Sequence, residues 1–291
     1  MHLRAKIISI SLVLAFFTCA SARAAEPKSP EPVTSPRLYV LDCGTITNNR
    51  PENYGLSFDE VSNTNFANMC VLIVHPKGTL LWESGLPDAM AGKPMTGTLG
   101  WEKFQQAFKM NTLVGQLAEI GYSPSDIKYL ALSHYDHDHS GNSNLFAANS
   151  TWLVAKPEWD AMFRPADGKP LPGHEDFDQL KNAKTVLVGD NYDVFGDGSV
   201  LIKHAFGHTA GHIVLVVKLK NMGNVILGGD LFHYNEEIKL NRHSPYERNI
   251  PVLIASRDRI EKLSKELNAP VWVTHDLDLY RKLKHSPNYY D

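Results

Sequence analysis

Cysteine is scarce in this chain of 291 residues, with three in all, and that excludes a disulfide-dense mini-scaffold. Basic residues are not in excess: 29 Lys and Arg stand against 32 Asp and Glu. A dedicated nucleic-acid-binding chain usually carries a basic surplus. Glycine and proline, at 20 and 17, are too few for a collagen-like or low-complexity polymer. No Gly-x-Ser-x-Gly elbow offers a serine nucleophile, and no glycine-rich loop offers a phosphate cradle. Beyond the first residues no apolar run is long enough to span a membrane, and nothing repeats at a fixed period. What the chain does hold is 43% apolar residues and 13 histidines. The first is ample for a core and argues against disorder. The second matters through position rather than number.

The N-terminus reads as a targeting segment. Arg4 and Lys6 precede an apolar run from Ile7 to Ala20, and Ala22-Arg23-Ala24 is a small-x-small cleavage site. The expected division is a signal peptide over 1–24, a flexible Pro- and Ser-rich leader over 25–36 and one domain over 37–291. Phe16-Phe17-Thr18 before Cys19 is a poor lipobox, and the apolar run is short for a stable membrane anchor. A periplasmic or secreted protein is the expectation. Cleavage removes three basic residues and no acid, leaving 26 basic residues against 32 acidic and a net charge of −6 instead of −3. It also leaves Cys43 and Cys70. In an oxidising compartment these could pair, or each could pack separately as a small hydrophobe.

Hydrophobic patterning gives strands near 37–42, 69–74, 79–83, 127–133, 151–155, 185–188, 199–205, 212–219, 225–227 and 271–274. Helical spacing marks 101–120, 158–163 and 250–267, the last with Val252, Ile254, Ile260 and Leu263 on its apolar side. Strands come in runs separated by a few helices, which predicts an α/β fold of packed sheets with helices outside.

Chemistry-bearing residues gather just past strand ends. His134, Asp136, Asp138 and His139 lie within six positions; His208 follows Gly207, Asp230 follows Gly229, and His275 follows Thr274. Imidazole and carboxylate are the usual ligands of zinc and related divalent ions. Alternate residues of an extended segment share a side, so His134 and Asp136 can serve one ion. If the chain then turns, Asp138 and His139 can face a second.

Ser133-His134-Tyr135-Asp136-His137-Asp138-His139-Ser140-Gly141 resembles the His-x-His-x-Asp-His signature of the metallo-β-lactamase superfamily. Gly207-His208-Thr209-Ala210-Gly211-His212, Gly229-Asp230 and Thr274-His275-Asp276 are similar to its later motifs, in the same order. The Cys43-Gly44 start, Leu81-Trp82-Glu83-Ser84-Gly85-Leu86-Pro87 and the Pro287-Asn288-Tyr289-Tyr290-Asp291 end resemble the N-acyl homoserine lactonase branch. The resemblance implies an αββα four-layer sandwich, two central mixed β-sheets flanked by helices. It also implies two metal ions: His134, Asp136 and His208 on the first, Asp138, His139 and His275 on the second, and Asp230 bridging both. His212 would support the site without ligating.

Two departures stand out. The family's second histidine is Asp136 here, a hard oxygen ligand that keeps Zn as the default and admits Fe or Mn. A Tyr often found three residues after the bridging Asp is His233 here, with Tyr234 beside it, and either could donate to a substrate carbonyl. Two ions sharing a water lower its pKa towards about 7, and Asp138 would handle the proton passed to the leaving oxygen. A metal-dependent hydrolase opening a lactone is therefore expected. A β-lactamase of the same superfamily and a non-catalytic metal-binding protein are the alternatives. Its partner would be a small-molecule substrate, with no nucleic acid and no lasting membrane insertion; a homodimer stays open. Segments 84–100 and 160–180 are the expected pocket walls, with Met90, Met95, Trp101, Met162 and Phe163 as candidates against an acyl chain. Ordinary packing is the stronger reading for each of these five.

Overall fold

In β1 (Arg37–Thr47) and β2 (Phe66–His75) almost every side chain is shielded from solvent on both faces. Side chains alternate across a strand, so strands buried throughout must be covered twice. The computed structural model, which describes residues 32–93, 95–96 and 106–291, shows both covers. Residues 1–31, which include the expected signal peptide, and Trp101 lie outside the described residues, and for Met95 only the backbone is described.

The further strands are β3 (Gly78–Trp82), β4 (Met95–Thr96), β5 (Gln106–Phe108), β6 (Tyr129–Ala131), β7 (Thr151–Ala155), β8 (Thr185–Val188), β9 (Tyr192–Asp193), β10 (Val200–His204), β11 (Ile213–Leu219), β12 (Gly223–Leu227) and β13 (Val271–Trp272). The helices are α1 (Leu113–Glu119), α2 (His137–Ser140), α3 (Lys156–Phe163), α4 (Asn235–Leu240), α5 (Ile250–Leu267) and α6 (Leu277–Lys282). An eight-stranded sheet runs in the order β4-β5-β1-β2-β3-β6-β7-β8, and a five-stranded sheet runs β13-β12-β11-β10-β9. Both are mixed: β3, β6, β7 and β8 pair in parallel, as do β12 and β13, and the other pairs are antiparallel.

The strand period of two distributes the core. Leu38, Val40, Val71 and Ile73 face Ile202, Ile213, Leu215 and Val217 between the sheets. Tyr39, Leu41, Leu72 and Val74 point the other way, towards Leu113 and Leu117 of α1 and Met162 of α3. Val214, Val216 and Ile226 turn out from the second sheet onto Leu253 and Ile260 of α5. The result is the expected four-layer αββα sandwich.

Some local expectations shift. Of the helical spacing from 101 to 120, residues 101–105 lie outside the described residues, and among the described ones it yields α1 alone. Its side-chain cap comes from Thr112, whose Oγ1 accepts the Gly115 N–H. Phe108 before it lies in a strand paired with Thr45. In α5 the buried stripe is Leu253, Ser256, Arg257 and Ile260, while Val252 and Ile254 face solvent. Of the two readings of Cys43 and Cys70, pairing holds: they form a disulfide between β1 and β2.

Candidate metal centre

The loops after β6, β10, β12 and β13 bring the ligand candidates together. Leaving β6, the chain passes through buried His134 and then makes the single turn α2 from Asp136. That turn sends Asp138 and His139 to a different side from His134 and Asp136. Its position is set by a strap from 83 to 86: the Ser84 and Gly85 N–H groups donate to the His139 carbonyl at 2.8 and 3.2 Å. The Cys43–Cys70 disulfide lies directly beneath, since a Cβ on Gly85 would meet Cys43 Sγ at 2.7 Å. Glu83, at the start of the strap, has a positive φ of 64°, and its carboxylate accepts the Ser133 N–H. Such strain in a non-glycine residue gathers at functional sites.

Two groups of donor atoms result. His134 Nε2 lies 3.3 Å from His208 Nε2 and 3.4 Å from Asp136 Oδ2. His139 Nε2 lies 3.3 Å from His275 Nε2 and 3.6 Å from Asp138 Oδ2. Asp230 divides its oxygens between them. Its Oδ2 is 3.8 Å from His134 Nε2 and 3.7 Å from His208 Nε2; its Oδ1 is 3.1 Å from His139 Nε2 and 3.2 Å from His275 Nε2. All seven residues singled out from the sequence thus converge.

This geometry fits metal ions. Donors about 2.0–2.2 Å from a tetrahedral ion stand roughly 3.3–3.6 Å apart. Asp230 Oδ1 is buried and makes no hydrogen bond, an expensive state unless a cation faces it. Electrostatics agree: although burial opposes it, Asp230, Asp138 and Glu83 raise His139 well above its ordinary pKa. Against its own burial, Asp230 is held well below the usual carboxylate range by His139, His275 and His233. The space between the carboxylates favours positive charge.

The other imidazole nitrogen of each candidate histidine is engaged, which aims Nε2 inward. Ser133 Oγ lies 2.8 Å from His134 Nδ1, and Glu83 Oε1 lies 3.4 Å from His139 Nδ1. His208 Nδ1 donates to Glu247 at 2.9 Å, and His275 Nδ1 donates to the Ala67 carbonyl at 2.8 Å. His212 Nε2 accepts the Asp230 N–H at 3.0 Å, the supporting place expected for it. Buried Glu158 gathers the motif loops, accepting from Tyr135 N, Thr209 Oγ1 and Gly211 N. Burial pushes its pKa up to about 8.

A cavity of about 300 Å³ opens over the cluster. His233 lines it, with Nε2 3.3 Å from Asp230 Oδ2. Tyr234 does not: its ring packs with Ile46, Leu56 and Phe66. The Glu237 carboxylate accepts both the His233 and Tyr234 N–H groups, fixing the turn that separates their directions. The tyrosine that faces the cavity is Tyr54, 4.6 Å from the His233 ring between centroids. Among the described residues the walls come from Ile46 to Tyr54 and Ser244 to Glu247, not from 84–93 or 160–180. Met90 packs on Leu86 and Ala107, Met162 joins the α3 core, and Phe163 lines a separate cavity. Tyr54, Glu158, Glu247 and Arg248 carry no signal in the sequence; Glu83 stands in a quoted segment without a role.

Comparison with known proteins follows this geometry. The chain is 29% identical over 280 residues to the N-acyl homoserine lactonase AttM of Azorhizobium caulinodans, covering 89% of this chain and 100% of that one. The fold matches a mutant of B. thuringiensis AiiA with N-decanoyl-L-homoserine bound at its active site. There the TM-score is 0.74 at 20% identity, over 88% of this chain and 100% of that one. It also matches AidC, a dizinc quorum-quenching lactonase, with a TM-score of 0.61 at 17% identity over 91% and 95% of the two chains. The pattern of the metallo-beta-lactamase superfamily matches residues 63–272, and with the ordered motifs now gathered at one edge of an αββα sandwich, the chain belongs to that superfamily.

Proposed function

We propose that this protein is an exported dinuclear metal-dependent hydrolase that opens a lactone, of the N-acyl homoserine lactone kind. The observation that carries the dinuclear reading is the division of Asp230, one oxygen towards each trio of donors. His134, Asp136 and His208 would hold one ion, and Asp138, His139 and His275 the other. The donor set of four imidazoles and three carboxylates suits zinc, with iron or manganese admitted by Asp136. When bound, the two ions supply Lewis acidity and a water activated near neutral pH.

The chain's own groups do the rest. His233 Nε2 faces the cavity beside Asp230. Despite burial, Asp230 and Glu237 favour the protonated His233 ring, and its Nε2, at the cavity, is the group that would donate to the substrate carbonyl oxygen. Burial keeps the Tyr54 phenol protonated as a second donor at the wall. Asp138 lines the cavity and would carry the proton to the leaving oxygen. The cavity is at the small end of ligand sites, which suits a small cyclic ester. Support for the lactone comes from the relatives: AttM is named a lactonase and matches along 89% of this chain.

The test is elemental analysis of purified protein followed by a panel of lactones, simple esters and β-lactams. Two ions per chain and turnover of lactones are expected. Turnover of β-lactams alone would reject the lactone reading, and two ions without any hydrolysis would favour a binding protein. His134→Ala and Asp230→Ala should lose both metal and activity; retention of either property rejects the ligand assignment.

A further inference from the structure

The segment joining α4 to α5 touches the first trio twice. Glu247 accepts from His208 Nδ1 at 2.9 Å. The next residue, Arg248, sets Nη2 3.4 Å from Asp136 Oδ1, and its guanidinium carbon lies 4.7 Å above the Tyr135 ring. The other Asp136 oxygen, Oδ2, is the one that faces His134 and His208. Adjacent residues of one segment therefore hold two of the three donors from outside. The segment is itself anchored, because the Asn249 N–H donates to the Gly207 carbonyl at 3.0 Å and the Asn249 side chain caps α5.

Asp136 is where this chain departs from the histidine its motif would carry. An imidazole presents one nitrogen inward and is oriented through the other. A carboxylate has two equivalent oxygens and an extra negative charge, so it can swing between one and two contacts. A guanidinium with Nη2 3.4 Å from Oδ1 restrains that freedom and offsets the charge. We propose that Arg248 is a positioning residue for Asp136, required because position 136 is a carboxylate, and that it governs retention of the ion on the His134 side. The proposal rests on the ligand assignment given above.

The experiment is chelator titration of the zinc-loaded full chain, with bound zinc counted at each step. Four variants are compared with the parent: Arg248→Gln, Arg248→Lys, Asp136→His, and Asp136→His combined with Arg248→Gln. Arg248→Gln should weaken retention of one ion about tenfold and leave the other unmoved. Arg248→Lys, which keeps the charge but loses the planar fork and the ring contact, should fall between. In the Asp136→His background Arg248→Gln should change retention less than about twofold. Arg248 is 47% exposed, so its replacement opens no core cavity; Arg248→Lys carries the test if the Gln variant folds poorly. Equal losses in both backgrounds would overturn the proposal, as would unchanged retention in Arg248→Gln. A parent protein that holds fewer than two ions would instead overturn the dinuclear reading itself.

Discussion

At the residue scale, His233 and Tyr234 are neighbours in the chain with different surroundings. Both backbone N–H groups go to Glu237, and the side chains then part. The His233 ring reaches Asp230 and the cavity, whereas the Tyr234 hydroxyl is buried without a hydrogen bond. An oxyanion donor contributes about 10²–10³ in kcat. His233→Gln should therefore lower kcat by roughly that factor while both ions stay bound. Tyr54→Phe removes one hydroxyl at the cavity wall, and a drop of about tenfold is expected, in keeping with one hydrogen bond to a charged oxygen. Tyr234→Phe deletes an unsatisfied polar atom, so activity should hold and stability should stay level or rise by up to about 1 kcal/mol. Steady-state kinetics with metal counting on the three variants checks the set. A large kcat loss in Tyr234→Phe with full activity in Tyr54→Phe would reverse the assignment.

At the element scale, the contact between the 207 turn and the first turn of α5 couples folding to the site. Gly207 has φ of 132°, and an added Cβ would lie 2.4 Å from the Leu253 backbone. Gly207→Ala should cost about 1–3 kcal/mol through backbone strain and displacement of α5. Because Glu247 and Arg248 lead into α5, retention of the ion on the His134 side should fall along with the melting temperature. A variant that loses stability but keeps both ions would show that α5 does not set the site. The same contact shows what a sequence can reveal. The ligand positions are legible because each follows a run of strand residues and the types cluster: His134 to His139 within six places, then His208, Asp230 and His275 after their glycines or threonine. The continuous apolar runs of β1, β2 and β11, buried on both faces, are legible for the same local reason. Glu247, Arg248 and Tyr54 are not, because their meaning comes from partners far along the chain. Arg248 meets Asp136 across 112 positions, and no local pattern marks a single Arg in a loop. The helix expected over 101–120 holds for Leu113–Glu119 but misleads at Phe108, whose spacing looks helical while its pairing with Thr45 places it in a strand.

At the scale of the whole molecule, the disulfide connects the compartment to the site. Cys43 and Cys70 join β1 to β2 across 27 positions. A loop of that length contributes about 3–4 kcal/mol on the chain-entropy account. The bond also underlies the strap that holds the His139 carbonyl, since Gly85 packs on Cys43 and Leu86 N donates to the Cys43 carbonyl at 3.2 Å. Among the described residues no helix is long and apolar enough to cross a membrane. Structural disulfides persist outside the reducing cytosol, which supports the proposal that the leader is removed and the domain works after export. Three linked outcomes are expected. N-terminal sequencing of the protein recovered from the periplasm or medium should begin at Ala25. Thiol titration under denaturing conditions should find no free Cys43 or Cys70. The Cys43→Ser, Cys70→Ser double variant should melt lower than the parent, by an amount consistent with about 3–4 kcal/mol, and should release its His139-side ion more readily than its His134-side ion. The reason for that asymmetry is geometric: the strap over the disulfide holds His139, whereas His208 and Asp136 are held by Glu247 and Arg248 of the segment leading into α5. Full-length protein in the cytosol with free thiols would refute export, and equal loss of the two ions would refute the link between strap and site.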